Sequence, residues 1–200
     1  MREFDPTLVP EPLSLAIFPD GKGPVDLEIG CGAGFHPIRY AQEHSERTLI
    51  AIERTHARFA RFQSRLAGHP HLTNILAIQD DAIRWVTHRV PPGSLDRIFL
   101  LYPNPYPKSG QQNKRWHSMP FMGRLLHCLA AGGTLTLATN MASYAEEARQ
   151  MMQDVWGVCL VQDRRFTADE RSPDKASTHF ERKYLQRGEQ CTELVFQTSS

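Results

Sequence analysis

The sequence predicts an α/β domain with a mostly parallel, open sheet and helices between its strands, and three observations predict it. The stretch from Val25 to Gly34, Val-Asp-Leu-Glu-Ile-Gly-Cys-Gly-Ala-Gly, is an apolar run that breaks into glycines at alternate positions, a buried strand ending in a tight turn. Short apolar runs then alternate with stretches of helical periodicity. Finally, 200 residues with 40% hydrophobic content are enough for one compact core.

Composition narrows the function classes. No apolar run approaches the roughly 20 residues of a membrane span, and no basic segment precedes an apolar one at the N-terminus, so a cytoplasmic protein without a membrane partner is expected. Cys31, Cys128, Cys159 and Cys191 are widely separated with no C-x-x-C pair, which argues against a zinc site or a disulfide framework and for reduced, mostly buried thiols; no metal is expected. The formal net charge is +1 and the sequence pI about 7.8, so any nucleic-acid surface must be local.

Residues 1–24 carry five prolines and little periodicity and read as an irregular lead-in that could cover a ligand; residues 25–200 read as one domain. Phe35 to about His44 is the first helix, Thr48 to Ile52 the second strand, and Arg54 to Leu66 a helix with an inward stripe of Phe59, Phe62 and Leu66. On a neighbouring face Arg54, Arg58, Arg61 and Arg65 recur at helical spacing, either a solvated face or a track for a phosphate backbone. Thr73 to Ile78 is the third strand, followed by a helix to about His88; Leu95 to Leu101 is the fourth, running into Tyr102-Pro103-Asn104-Pro105-Tyr106-Pro107-Lys108. Met119 to Ala130 is a helix, Gly132-Gly133 opens a fifth strand over Thr134 to Thr139, and Met141 to Trp156 is a helix. Val158 to Gln162 and Cys191 to Phe196 are strands six and seven, joined by a long loop whose Arg164 to Arg187 stretch holds seven Lys/Arg against four Asp/Glu, a local nucleic-acid signal. With Lys108, Lys114 and Arg115 it is expected to form an RNA-facing surface.

The candidate site follows from the strand ends. Gly30, Gly32 and Gly34 allow a ligand to lie against the main chain, ahead of a helix whose free amides face the same way. Such turns serve dinucleotides and S-adenosylmethionine alike. The G-x-G-x-G spacing, and Glu28 two residues before the first glycine, favour the second: a carboxylate repels a pyrophosphate and attracts a cationic methionyl group. Glu53 ends strand two, some 20 residues after the glycines, where a carboxylate accepts ribose hydroxyls or belongs to the helix start. Asp81, in preference to Asp80, ends strand three as an acceptor for an adenine amino group or as a helix cap. Three prolines pin the loop around Asn104 and Tyr106, which suits holding a flat ring at a fixed distance.

Glu28-Ile29-Gly30, Glu53, Asp81-Ala82, Pro103 to Lys108, Thr139-Asn140 with Tyr144, and Thr178-His179-Phe180-Glu181 with Lys183-Tyr184 and Gly188 follow the order and approximate spacing of a known family. The chain resembles the bacterial tRNA (guanine-N7)-methyltransferases from Asp26 to Phe196. The resemblance implies a Rossmann-like class I methyltransferase, a seven-stranded, mostly parallel sheet with an antiparallel last strand and helices on both faces. It implies S-adenosylmethionine as cofactor and tRNA as partner, in a monomer or homodimer. Glu28, Gly30, Gly32, Gly34, Glu53, Asp81 and Asn104 would bind the cofactor, Asn104 would occupy the catalytic position, and Lys108, Asn140, Thr178, His179, Phe180 and Glu181 would hold the substrate. Glu181 is expected to accept from the N1-H and amino group of guanine. The chain departs from the family in four respects: Asn104 and Asn140 replace aspartates, Tyr106 replaces tryptophan, the Lys108 to Lys114 stretch is about one residue longer without its Arg-His pair, and the lead-in is short and has little basic character. These departures bear on the acceptor, with an exocyclic amine or a small molecule as alternatives, and on turnover, with a cofactor-binding RNA module as the other.

Overall fold

The computed structural model describes residues 3–20 and 23–198; residues 1, 2, 21 and 22 of the expected lead-in, and 199 and 200 of the expected domain, lie outside the described residues. Strand β1 (Val25–Ile29) is buried along its whole length, as a strand covered on both faces must be. It pairs in parallel with β2 (Thr48–Ile52) on one side and β4 (Leu95–Leu101) on the other. Beyond β2 lies β3 (Ile75–Ile78); beyond β4 lies β5 (Leu129–Thr139), also parallel. Then β7 (Cys191–Gln197) runs antiparallel between β5 and β6 (Cys159–Phe166), giving the order β3-β2-β1-β4-β5-β7-β6. The order reverses between β1 and β4, so the loops leaving their carboxyl ends flank a crevice, the expected ligand position in such a sheet.

Helices α1 (Phe35–Glu43) and α2 (His56–Ala67) cover one face through Ile38, Phe59 and Phe62. On the other face α3 (Ala82–Arg89), α4 (Phe121–His127) and α5 (Ala142–Gln150) contribute Trp85, Phe121 and Tyr144 to the largest core. None of the described helices is long and apolar enough to cross a membrane. All four cysteines are free thiols, and only Cys159 is exposed.

Three expectations need correction. Helix α4 ends at His127, three residues before the expected end, and β5 starts at Leu129. Gly132, at φ +73°, sits inside the strand and goes with a register shift opposite Leu95 to Arg97, so the glycine pair marks a bulge within the strand. The long loop is shorter than read. Strand β6 runs on to Phe166, and α6 (His179–Gln186) occupies the loop's second half. Thr178 caps α6 by accepting from the Glu181 amide at 3.0 Å, and Thr-x-x-Glu is itself a sequence signature of a helix start. The lead-in, finally, packs on α3 and α4: Phe4 meets Phe121 edge to face, and the Ala16 carbonyl accepts from Trp85 Nε1. None of its described residues lines the cleft.

Candidate active site

A cleft of about 630 Å³ opens at the carboxyl edge of the sheet, walled by Gly30, Glu53 and Asp81 on one side and by Tyr102 to Tyr106 on the other. Arg54 just before α2, Arg58 in its first turn, Lys114, and Phe180 and Tyr184 of α6 complete its rim.

The glycine turn is built from below. The Ile52 carbonyl at the end of β2 accepts from the amides of Gly30 and Cys31, and the Glu53 carboxylate accepts from Gly32 at 3.0 Å and Thr55 at 2.6 Å. Its oxygens offer about four acceptor directions, so two protein amides leave room for ligand hydroxyls. Gly30 and Gly32, at φ +78° and +61°, have no atom within 4 Å of where a Cβ would stand, leaving the space over the turn open. Gly34 is different. A Cβ there would land inside the ring of Phe62, so this glycine serves the contact between the turn and α2.

Two carboxylates lie under the turn. Glu28, 3% exposed, is hydrogen-bonded to His36 Nδ1 at 2.7 Å, and Glu53 is 4% exposed. Burial pushes the Cys31 thiol well above its ordinary pKa, and the charges of Glu28 and Glu53 push it further. A thiol held protonated is not a nucleophile. The same negative field disfavours a phosphate at this turn and favours a cation.

The opposite wall is a strained loop. Tyr102 and Tyr106 adopt φ +52° and +44°, a left-handed conformation uncommon for residues with side chains and costing on the order of 1 kcal/mol or more each. Asn104 is exposed, and its Oδ1 accepts from the Tyr106 amide at 3.2 Å. Two buried networks hold the loop from behind. In the first, the Arg115 guanidinium donates to the carbonyls of Pro105 and Tyr106 and is ion-paired with Glu147, which also accepts from Ser118 Oγ. In the second, Tyr102 donates to Glu181 Oε2 at 3.2 Å while Glu181 Oε1 accepts from Arg171 at 3.0 Å. Burial, then the Glu181 charge, pushes the Tyr102 phenol far above its usual pKa and keeps it a donor.

Gly30, Glu53, Asp81, Asn104 and Phe180 therefore line the cleft as expected, whereas other expected residues sit elsewhere. Asp81 is the N-cap of α3, its Oδ1 accepting from Ile83 at 2.9 Å, and Asp80 beside it is tied to the Ser14 amide. Glu181 is 1% exposed, with its carboxylate committed to Tyr102 and Arg171, so it anchors the loop where a reader of the guanine edge was expected; Phe180 is the residue of that motif that faces the cleft. Thr178 serves as a helix cap and His179 is exposed. Lys108 is exposed and outside the cleft lining, and Asn140 donates to Glu189 at 2.7 Å. Arg115, expected on an RNA-facing surface, is 9% exposed and structural. The sequence reading missed Tyr184 as a wall residue, although Phe180 and Tyr184 four positions apart on α6 stack nearly parallel, at an interplanar angle of 23°.

A family model described as "Putative methyltransferase" matches residues 22–194. The chain is 31% identical over 189 residues to the tRNA (guanine-N(7)-)-methyltransferase of Alkalilimnicola ehrlichii, covering 93% of this chain and 77% of that protein. It is 32% identical over 174 residues to the tRNA (guanine-N(7)-)-methyltransferase of Anaeromyxobacter dehalogenans, covering 87% and 85%. Among solved structures, a mutant of the 16S rRNA (adenine(1408)-N(1))-methyltransferase from Catenulisporales acidiphilia, with cosubstrate SAM, is similar in fold. Its TM-score is 0.62 at 15% identity, over 88% of this chain and 86% of that one.

Proposed function

Because the chain belongs to the tRNA (guanine-N7)-methyltransferase family, we propose that it transfers a methyl group from S-adenosylmethionine to N7 of a guanine in tRNA. The observation that carries the reading is the pairing of an open glycine turn over two buried carboxylates with a rigid, aromatic-flanked loop across one cleft. The cleft volume suits a nucleoside-sized ligand. A tRNA substrate carries with it a cytoplasmic location.

The residues present fit S-adenosylmethionine. Gly30 and Gly32 offer bare main chain, Glu53 has free acceptor directions for ribose hydroxyls, Asp81 stands at the end of β3 for the adenine amino group, and Glu28 supplies negative charge for the methionyl end. When bound, the group supplies an electrophilic methyl on a positively charged sulfur. Guanine N7 carries an in-plane lone pair and no proton, so the protein needs no general base. Its task is alignment. Asn104, on a loop fixed by three prolines and two buried networks, presents a side-chain amide to the base, and Phe180 with Tyr184 offers a stacking surface. An amide lacks the charge that would stabilise a cationic product, and loss of such an electrostatic partner typically costs about 10²-fold or more.

The test is nucleoside mass spectrometry on an unmodified tRNA transcript incubated with the chain and S-adenosylmethionine. 7-Methylguanosine is the expected product. Methylation of an exocyclic amine would move the acceptor, and binding of both ligands without product would reduce the chain to a binding module.

A further inference from the structure

Resting on the tRNA reading above, we propose that the exposed arginines Arg58, Arg61 and Arg65 of α2, with Arg54 just before it, are the track along which the RNA backbone enters the cleft. Charge is the first argument. From Arg54 to Gln79 the chain has four arginines and three histidines and no aspartate or glutamate, a local excess in a sequence of net charge +1. All four arginines are exposed.

Availability is the second. Among the described residues the Arg58 and Arg61 side chains make no hydrogen bond or ion pair; that of Arg54 has only a 3.5 Å contact to Asp81, and that of Arg65 donates to the Ala33 carbonyl beside the glycine turn. In the stretch from Arg164 to Arg187, whose seven basic residues face four acidic ones, three of the seven are spent internally. Arg171 is committed to Glu181 and Glu193, Arg182 donates to the Pro173 carbonyl, and Arg187 faces Glu189.

Position is the third. Arg54 and Arg58 line the cleft, and the Arg58 guanidinium lies 6.0 Å from the ring of Phe180, so the face begins where a base would stack and runs outward along the helix. Residues three and four apart stand about 5 to 6 Å from one another on a helix, a spacing that lets successive arginines meet successive phosphates. The opposite face of α2 is buried through Phe59 and Phe62, which leaves no apolar flank to enter a lipid surface. A polyanionic strand is the partner this surface fits.

The experiment follows the salt dependence of binding to an unmodified tRNA transcript by fluorescence anisotropy, for the native chain, Arg61→Ala, Arg58→Ala/Arg61→Ala and Arg58→Lys/Arg61→Lys. Each alanine should reduce the slope of log K against log salt by about 0.7 to 0.9, while the lysine pair keeps it. Calorimetric affinity of Arg61→Ala for S-adenosylmethionine should be native, since Arg61 lies outside the cleft lining. A native slope in the alanine pair, with native tRNA methylation, overturns the arginine track and leaves the proposed activity standing. A native chain that binds S-adenosylmethionine but shows no salt-dependent tRNA binding overturns the tRNA reading and the track with it. Loss of binding to anionic phospholipid vesicles with tRNA binding intact would make the face a membrane surface and also refute the proposal.

Discussion

Gly34→Ala should destabilise the fold far more than Gly30→Ala, though both glycines stand at φ near +77° in the same turn. The added Cβ at Gly34 falls inside the Phe62 ring, with Cε2 at 2.5 Å and Cγ at 2.6 Å. Carbon atoms prefer about 3.5 to 4.0 Å, so the ring must retreat by an ångström or more. Phe62 is fully buried in the cluster with Ile38 and Phe59. Overpacking of this kind costs about 1 to 3 kcal/mol, and the left-handed backbone adds about 1 to 2 kcal/mol. The total, about 2 to 5 kcal/mol, should lower the melting temperature by roughly 5 to 20 °C in a chain of this size. Gly30→Ala carries only the backbone term, because nothing lies within 4 Å of its Cβ, and its larger effect should fall on S-adenosylmethionine affinity. Thermal melts of both variants, and of Gly34→Ala/Phe62→Leu, test the reasoning. If Gly34→Ala melts like the native chain, or if the Phe62 change gives no relief in the double variant, the packing argument is wrong.

Glu53→Gln should weaken S-adenosylmethionine binding by about 1 to 3 kcal/mol in calorimetry, while Glu53→Ala should also lower stability, because the Gly32 and Thr55 amides lose their acceptor. Arg115→Met should reduce methyl transfer more than cofactor affinity by freeing the Pro105 and Tyr106 carbonyls, with a stability loss of about 1 to 3 kcal/mol in chemical denaturation, since Glu147 keeps Ser118 Oγ as a donor. His117 is fully buried, and desolvation holds its pKa below the ordinary 6.5. The unfolded chain therefore takes up a proton that the folded chain refuses: stability is full above about pH 6.5 and falls as the pH drops below it, a slope that His117→Gln should flatten in melts across that range. Asn104→Asp should keep the native melting temperature and raise tRNA methylation, whereas Asn140→Asp should lose stability, read by the same melts and assay.

The chain order of all seven strands is legible, and β2 and β4 match to the residue as short apolar runs bounded by polar, glycine or proline residues, whereas β6 extends through the polar run Gln162 to Arg165. The errors have local causes. Glycines were read as boundaries, yet Gly132-Gly133 lies within a strand as a bulge. Helix α6 carries Phe180, Glu181, Tyr184 and Leu185 at helical spacing, but the high charge around them hides the pattern. Strand ends also placed Gly30, Glu53, Asp81 and Asn104 on the cleft, since topology alone brings those positions together. What lies behind the cleft depends on which charges are buried together. Pairing Glu181 with Arg171 and Tyr102, or Arg115 with Glu147, takes residues up to 79 positions apart, a relation no local spacing records.

The two asparagines that depart from the family pattern show why that distinction matters for function. Asn140 is half-buried, and its amide nitrogen donates to Glu189 at 2.7 Å. An aspartate there would set two carboxylates against each other at hydrogen-bond distance, so in this chain the amide matches Glu189. Among the described residues Asn104 has no such partner. Its oxygen accepts from the Tyr106 amide, a bond that an aspartate makes equally well, and no carboxylate is bonded to its nitrogen. Structure therefore accounts for the amide at Asn140, whereas the one at Asn104, which lines the cleft, is the change that the methylation assay of Asn104→Asp tests.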